Sequence, residues 1–168
     1  MNYIFSAIFL YFFLGFLLYI FQRRIVFNKS GHPGAPKDYN LDNTEEVYIK
    51  TEDNLKLLSW YHKGNNLLPL LVYFHGNSFH IGDRAYRIQR YIEKNWSVLL
   101  VSWRGFGGNK GNPTEKNLYK DAEAVLKWIK NNTEFKFKEL VIYGESLGSG
   151  AAVELSLIHI SEPTRRIH

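Results

Sequence analysis

The sequence predicts an α/β fold, in which helices flank a mostly parallel sheet, preceded by one membrane-spanning helix. From about residue 44, apolar segments of strand length alternate with segments of helical periodicity, as expected for a mostly parallel sheet. Residues 70–74 and 98–101 are continuous apolar runs, which are typical of strands covered on both faces. Residues 3–21 carry no charged side chain, which indicates the separate helix.

The composition indicates a folded protein and excludes several kinds of functional site. A hydrophobic content of 45% and an aromatic content of 16% are typical of a folded domain rather than of a disordered chain. The chain has no cysteine, which excludes disulfides, zinc–thiolate sites and a thiol nucleophile. The net charge of +5 comes from scattered basic residues, so we expect no nucleic acid as a partner.

The uncharged N-terminal segment is long enough to cross a membrane. As a helix, residues 3–21 extend about 28 Å at roughly 1.5 Å per residue, close to the ~30 Å hydrocarbon core of a bilayer. A secretory signal usually begins with basic residues and ends at a small-residue cleavage site, and both are missing here. We therefore predict an uncleaved anchor over residues 1–22, with a cleaved signal as the alternative. Arg23 and Arg24 follow the span, which favours a cytoplasmic location for the rest of the chain.

The sequence after the anchor predicts a linker followed by strands and helices in turn. Residues 23–43 are a predicted linker, because Gly31, Pro33, Gly34 and Pro36 interrupt regular structure. The later segments predict a hairpin of strands over residues 46–50 and 55–62, strands over residues 70–74, 98–101 and 140–143, and helices over residues 81–92 and after the N-cap Thr114.

The sequence Gly-Glu-Ser-Leu-Gly at residues 144–148 follows the last predicted strand. It fits Gly-x-Ser-x-Gly, the nucleophile elbow of serine hydrolases, where the glycines let strand and helix pass close to a strained turn. In that arrangement Ser146 is the nucleophile, and the Leu147 amide donates to the oxyanion at a helix N-terminus. A five-residue pattern also arises by chance or marks a simple tight turn. The strand before it and the small residues after it favour the elbow.

A second candidate element is His-Gly-Asn-Ser at residues 75–78, directly after a buried strand. An acyl-transfer enzyme needs a second backbone donor from the loop after its third strand, and Asn77 stands at that point. His75 is expected to brace the loop. The glycine-rich residues 103–111 match neither nucleotide-binding pattern, so we predict a tight loop beside the site.

Together these motifs resemble the membrane-anchored α/β-hydrolase-domain proteins, the branch of the fungal bud-emergence and animal hydrolase-domain proteins. The shared pattern comprises an N-terminal span, a Gly-x-Pro linker, a hairpin ending in Trp60-Tyr61, His-Gly-Asn at residues 75–77, Arg-Gly-Phe-Gly at residues 104–107 and Gly-x-Ser-x-Gly at residues 144–148. The match runs from the anchor to about Glu154, which is the N-terminal half or so of such a protein.

The resemblance implies a truncated α/β-hydrolase fold over residues 44–154. It implies a serine hydrolase of acyl esters, thioesters or lipids at a membrane, without metal or cofactor. Ser146 is then the catalytic residue, and the amides of Asn77 and Leu147 form the oxyanion hole. The expected partners are a lipid or acylated substrate and the membrane itself.

Two departures from the family pattern leave a second hypothesis open. The family often has Asp-Tyr where this chain has Ser102-Trp103, and Gly-Asn where it has Phe79-His80. The alternative is a membrane-tethered interaction module that kept the fold and lost the chemistry. The aromatic side chains of Phe79, Trp103 and Phe106 either line an acyl pocket or belong to the core.

The C-terminal residues have a separate expected origin. Residues 155–165 resemble a translated sequencing adapter, so residues 155–168 are predicted to be non-native, and the alternative is a genuine helix end before Pro163. His159 and His168 are then no candidates for the general base. In this fold the acid and the histidine of the triad follow the serine, and they are left unassigned. The truncated chain is expected to be inactive.

Overall fold

In the computed structural model, residues 2–29 and 31–160 are described. The elements in chain order are α1 (Asn2–Val26), β1 (Asn28–Lys29), β2 (Thr44–Lys50), β3 (Lys56–His62), β4 (Leu70–Phe74), β5 (Ser78–Phe79), α2 (Ala85–Ile92), β6 (Ser97–Val101), α3 (Glu115–Asn132), β7 (Leu140–Gly144) and α4 (Leu147–Ile160). Short 3-10 helices cover Pro36–Tyr39, Ile81–Arg84 and Phe137–Glu139. The predicted alternation of strands and helices is confirmed.

The helix α1 is apolar on all sides. Its segment Tyr3–Gln22 has a mean hydropathy of 2.4, and none of it is buried inside the protein. A helix that is hydrophobic all round needs an apolar environment, and this one finds none among the other described residues. Its length and composition fit either a membrane anchor or a signal sequence.

The main sheet is mixed and has the order β2-β3-β6-β4-β7. The strands β2 and β3 form the predicted antiparallel hairpin, while β4 runs parallel to both β6 and β7. Phe74 lies opposite Val101 on one side and opposite Gly144 on the other. The carboxyl ends of these three strands therefore meet at one edge of the sheet, and the loops that follow them are brought together there.

Two cores cover the two faces of the sheet, as the continuous apolar runs of β4 and β6 predict. One core packs against α3 and α4, and the smaller one packs against α2. Trp103 and Phe106 are fully buried in the larger core. They are core residues with no exposed surface, whereas Phe79 is 56% exposed on β5.

The structure differs from the sequence-based boundaries at two places near the site. The predicted helix over residues 81–92 begins as a 3-10 turn and becomes α-helical only at Ala85. Asp83 accepts a hydrogen bond of 3.1 Å from the His80 backbone, which holds this tighter first turn. The predicted linker begins inside α1, and its residues Asn28 and Lys29 pair in parallel with Ser78 and Phe79.

The helix α4 is continuous across residue 155, where the predicted non-native tail begins. Leu155 is fully buried in the larger core. Residues 161–168 of that tail, including His168, lie outside the described part of the chain. The predicted origin of the tail stays a prediction.

Candidate active site

Ser146 occupies a strained turn between β7 and α4. Its backbone φ is 48°, in the left-handed region that costs a non-glycine residue about 1–3 kcal/mol. The turn is closed by hydrogen bonds from Gly148 N to Glu145 O (2.8 Å) and from Ser149 N to Ser146 O (2.9 Å). Ser146 is exposed to solvent. The turn therefore presents the hydroxyl group at the carboxyl edge of the sheet.

The two flanking glycines allow the strand and the helix to approach each other. A side chain at Gly148 would overlap the carbonyl oxygen of Phe74, at the end of β4. A side chain at Gly144 would lie 2.5 Å from the Cα of Ser149, in α4. The spacing of the motif is thus explained by backbone packing on both sides of Ser146.

The loop between β4 and β5, residues 75–77, lies directly beside Ser146. The position that a Cβ atom of Gly76 would take is 3.4 Å from the Cβ of Ser146. Leu147 begins α4, where backbone N–H groups lack acceptors within the helix and the helix dipole favours negative charge. The fold therefore places the loop that contains Asn77 beside Ser146 and Leu147, and the catalytic roles of these three residues stay predictions.

The side chain of Asn77 ties this loop to the N-terminal helix. Its amide Nδ2 donates a hydrogen bond of 2.8 Å to the carbonyl oxygen of Val26, the last residue of α1. The last carbonyl groups of a helix have no partner within the helix, so Asn77 satisfies one of them. Because β1 also pairs with β5, the end of α1 is fixed beside the site.

Glu145, the residue before Ser146, is held by two side chains. Tyr73 Oη donates a hydrogen bond of 2.7 Å to one carboxylate oxygen, and Arg84 Nη2 donates one of 3.1 Å to the other. Burial raises the pKa of Glu145, but the bonds from Tyr73 and Arg84 outweigh burial and hold it below its usual range. The ionised carboxylate anchors the turn on the side of α2, an arrangement that the sequence pattern did not reveal.

His75 is fully buried under the loop. Its Nδ1 lies 2.6 Å from the carbonyl oxygen of Gly76, and because a carbonyl only accepts, Nδ1 carries the proton. Trp103 Nε1 donates a hydrogen bond of 2.8 Å to the backbone oxygen of His75. Burial lowers the pKa of His75 to about 4. This residue is thus a neutral brace of the loop, as the sequence predicts.

The glycine-rich loop after β6 is fastened by a buried guanidinium group. Arg104 is 2% exposed and contacts Asp121 on α3 at 2.6 Å and Asp53 on the hairpin turn at 2.7 Å. Hydrogen bonds from Arg104 and Thr51 lower the pKa of Asp53 to about 2. Gly105 N donates to Asn109 O at 3.0 Å. The backbone N–H of Gly105 is therefore hydrogen-bonded within the loop itself.

A cleft of about 350 Å³ opens beside Ser146. Its walls include Phe27, Leu118, Tyr119, Leu147 and Ala151. Pockets that bind small molecules are typically about 300–1,000 Å³ and mostly apolar. Within residues 2–29 and 31–160, no group of three His, Asp or Glu side chains is arranged to hold a metal ion.

Sequence reasoning missed one wall of this cleft. Phe27 lies in the predicted linker, where no motif or periodicity marks it. Its ring packs edge-on against Phe106, with 6.5 Å between the ring centroids. Only the pairing of β1 with β5 brings it to Ser146.

Comparisons with known proteins agree with this architecture. No protein-family model matches the chain. The chain is 30% identical over 154 residues to protein bem46 of Schizosaccharomyces pombe, covering 85% of this chain and 50% of that protein. It is 27% identical over 149 residues to the α/β hydrolase domain-containing protein WAV2 of Arabidopsis thaliana, covering 83% and 48%. It is 28% identical over 145 residues to the uncharacterized membrane protein YNL320W of Saccharomyces cerevisiae, covering 83% and 51%.

Solved structures point to the same fold. The esterase Pf2001 of Pyrococcus furiosus superposes with a TM-score of 0.63 at 25% identity, covering 80% of this chain and 54% of that one. An α/β hydrolase of Vibrio vulnificus superposes with a TM-score of 0.65 at 24% identity, covering 74% and 43%. The chain spans about half the length of the curated relatives it matches. It therefore has the α/β-hydrolase fold and is related to the α/β-hydrolase-domain proteins.

Proposed function

We propose that the protein is a membrane-anchored serine hydrolase that cleaves acyl esters, thioesters or lipids. The observation that carries the proposal is the strained turn at Ser146, with the loop of Asn77 on one side and the first turn of α4 on the other. In this mechanism the Ser146 hydroxyl attacks the acyl carbonyl carbon. The backbone N–H groups of Asn77 and Leu147 donate to the oxyanion.

The tetrahedral intermediate then collapses to an acyl-enzyme as the bond to the alcohol or thiol breaks, and the leaving group takes up the proton held by the base. Water then hydrolyses the acyl-enzyme and releases the acid. The proton of Ser146 passes to a histidine base, which in this fold follows the serine in sequence and is oriented by an acid. His75 is unsuited to that role, because its ring is fully buried and bonded to Gly76. The base and the acid are left unassigned.

The esterase neighbour supports the proposed reaction class. The membrane location is supported by the exposed apolar helix α1 and by the description of the yeast relative as a membrane protein. Arg23 and Arg24 directly after the span favour a cytoplasmic hydrolase domain. A single-pass anchor with the domain on the cytoplasmic side is thus part of the proposal.

The test is labelling by a fluorophosphonate probe, which reacts with activated serine nucleophiles. The full-length protein, meaning the intact parent in which the rest of the hydrolase domain follows residue 154, is expected to be labelled in native membranes. Ser146→Ala is expected to abolish this labelling. Ser59→Ala, on β3, is the matched control, since within the described part of the chain its buried hydroxyl has no hydrogen-bond partner. Equal labelling of the parent and Ser146→Ala would remove the assignment. A folded protein that is never labelled would favour the tethered interaction module instead.

A further inference from the structure

The junction between α1 and the sheet contributes to the cleft beside Ser146. We define the junction segment as residues 26–29. It contains Val26, which accepts the hydrogen bond from Asn77, and the two residues of β1. The remaining residue, Phe27, is half-buried and lines the cleft. One segment of four residues is thus fixed at both ends and presents one aromatic side chain to the site.

The environment of Phe27 is suited to an alkyl chain. Its ring packs against the core through Phe106, and Leu118, Leu147 and Ala151 form apolar surface on the same cleft. Apolar surface that leaves water contributes roughly 25 cal/mol per Å². A short acyl group has little to bury on these walls, whereas a long chain can cover them.

The position of the cleft also determines how such a chain reaches it. Phe27 directly follows the last residue of α1, and the neighbouring side chains Ile25 and Val26 are 63% and 47% exposed. Two exposed apolar side chains therefore directly precede, in the chain, the residue that lines the cleft. If α1 spans the bilayer, the mouth of the cleft lies where the helix leaves the hydrocarbon.

We propose that Phe27 is a specificity-determining residue, forming the wall that contacts the alkyl chain of an acyl substrate drawn from the bilayer. The inference rests on the proposed function of Ser146. It adds that the membrane anchor is joined to the active site, because Asn77 and β5 hold Phe27 in place. Loss of the Phe27 ring should therefore weaken selection for long chains.

The experiment compares two alkyl fluorophosphonates, one with an ethyl and one with a dodecyl chain, on the full-length protein in nanodiscs. The measured quantity is the ratio of the two labelling rates at Ser146. In Phe27→Ala the dodecyl-to-ethyl ratio should fall about tenfold, since the dodecyl chain loses apolar surface against which it is buried and the ethyl chain does not reach that surface. Phe12→Ala removes the same ring from a residue of α1 that is 68% exposed, and it should keep the parental ratio. This control also corrects for partitioning of the dodecyl probe into the lipid.

Phe27→Leu provides a second variant that keeps an apolar side chain, and it should give an intermediate ratio. If Phe27→Ala fails to fold, the ratio of Phe27→Leu decides. A parental ratio in the folded variants would overturn the role of Phe27 while leaving Ser146 as the nucleophile. Absence of Ser146 labelling by both probes would overturn the proposed function and this inference with it.

The bilayer route has its own measurement. A phosphatidylcholine with a photoreactive diazirine in its acyl chain is placed in nanodiscs with the Ser146→Ala protein. Crosslinks are expected at the cleft residues Phe27, Leu118 or Leu147, as well as along α1. Crosslinks confined to α1 would overturn entry from the bilayer.

Discussion

The side-chain amide of Asn77 donates a hydrogen bond of 2.8 Å to the carbonyl oxygen of Val26. Two parts of the chain that sequence reasoning treats separately, the anchor and the loop beside the nucleophile, are joined by this contact. The backbone N–H of the same Asn77 is the proposed oxyanion donor. Changes at its side chain are therefore expected to affect chemistry as well as the position of α1.

Asn77→Asp removes the donor and places a carboxylate against the carbonyl of Val26. We expect fluorophosphonate labelling of Ser146 to slow by about tenfold, because a displaced donor loses part of a contribution that is worth roughly 100-fold or more when it is removed entirely. Asn132→Asp is the matched control, since Asn132 Nδ2 donates a hydrogen bond of the same 2.8 Å to a carbonyl oxygen within its own helix α3, that of Trp128. Equal labelling rates in the two variants would contradict the positioning role.

Gly148→Ala should destabilise the protein strongly. Its new methyl group would overlap the carbonyl oxygen of Phe74, a backbone group that cannot rotate away. We expect a loss of about 3 kcal/mol or more in the free energy of unfolding, as for other severe steric changes. Gly150→Ala is the contrasting variant, because its nearest neighbour, Tyr119 Oη, is 4.0 Å away.

In Gly150→Ala the helix α4 gains a better helix former. A stabilisation of roughly 0.5–1 kcal/mol is expected. Both variants are compared by denaturant unfolding of the full-length protein in detergent. Similar unfolding midpoints for the two variants would show that the close approach of α4 to β4 is not required.

The burial of His75 predicts that the protein loses stability in mild acid. An unfolded histidine binds a proton below its ordinary pKa of 6.5, but burial lowers the pKa of His75 to about 4 in the folded protein. Between these values the unfolded state binds more protons, so the free energy of unfolding falls as the pH falls. At roughly 1.4 kcal/mol for each pH unit, the full effect is about 3 kcal/mol.

The measurement is the free energy of unfolding at pH 7 and at pH 4.5. His75→Gln, which cannot be protonated, should show a smaller difference between the two pH values than the parent. His32→Gln, at an exposed position, is the control and should keep the parental difference. An unchanged pH dependence in His75→Gln would exclude a buried neutral histidine.

Single cysteines in the 168-residue chain can test the orientation of the anchor, because these residues include no other cysteine. Leu67→Cys, at a position 91% exposed between β3 and β4, reports the location of the hydrolase domain. With a cytoplasmic domain, a membrane-impermeant maleimide should label it only after the cells are permeabilised. Asn2→Cys, on the other side of the span, should be labelled in intact cells, and the reverse pattern would refute the proposed orientation.

Local sequence signals predicted most of the sheet. The continuous apolar run at Leu70–Phe74 is a strand buried on both faces. Thr114 caps α3 by accepting a hydrogen bond of 3.3 Å from Asn117 N. These features depend on neighbouring residues and on periodicity, which a sequence carries directly. The boundaries shifted where 3-10 geometry or a distant partner intervened, as at Ala85 and at Asn28.

The sequence by itself determined the position of the candidate nucleophile. Gly144 and Gly148 lie at fixed spacing around Ser146. Close backbone packing on both sides of the turn requires glycine, so the requirement can be recognised from the residue type. The polar residue after His75-Gly76 likewise indicated the second loop. Such short motifs can be recognised in a sequence because only a few residue types satisfy the local geometry.

Only the tertiary structure decided what surrounds Ser146. Trp103 and Phe106 are equally apolar candidates for a pocket wall in the sequence, yet both are buried in the core. No motif or periodicity in the sequence marks Phe27, yet it lines the cleft because β1 pairs with β5 and Asn77 binds Val26. These placements rest on contacts between residues about fifty positions apart in the chain. Local propensity and periodicity do not indicate such contacts, since each of the two contacting segments is by itself compatible with many folds.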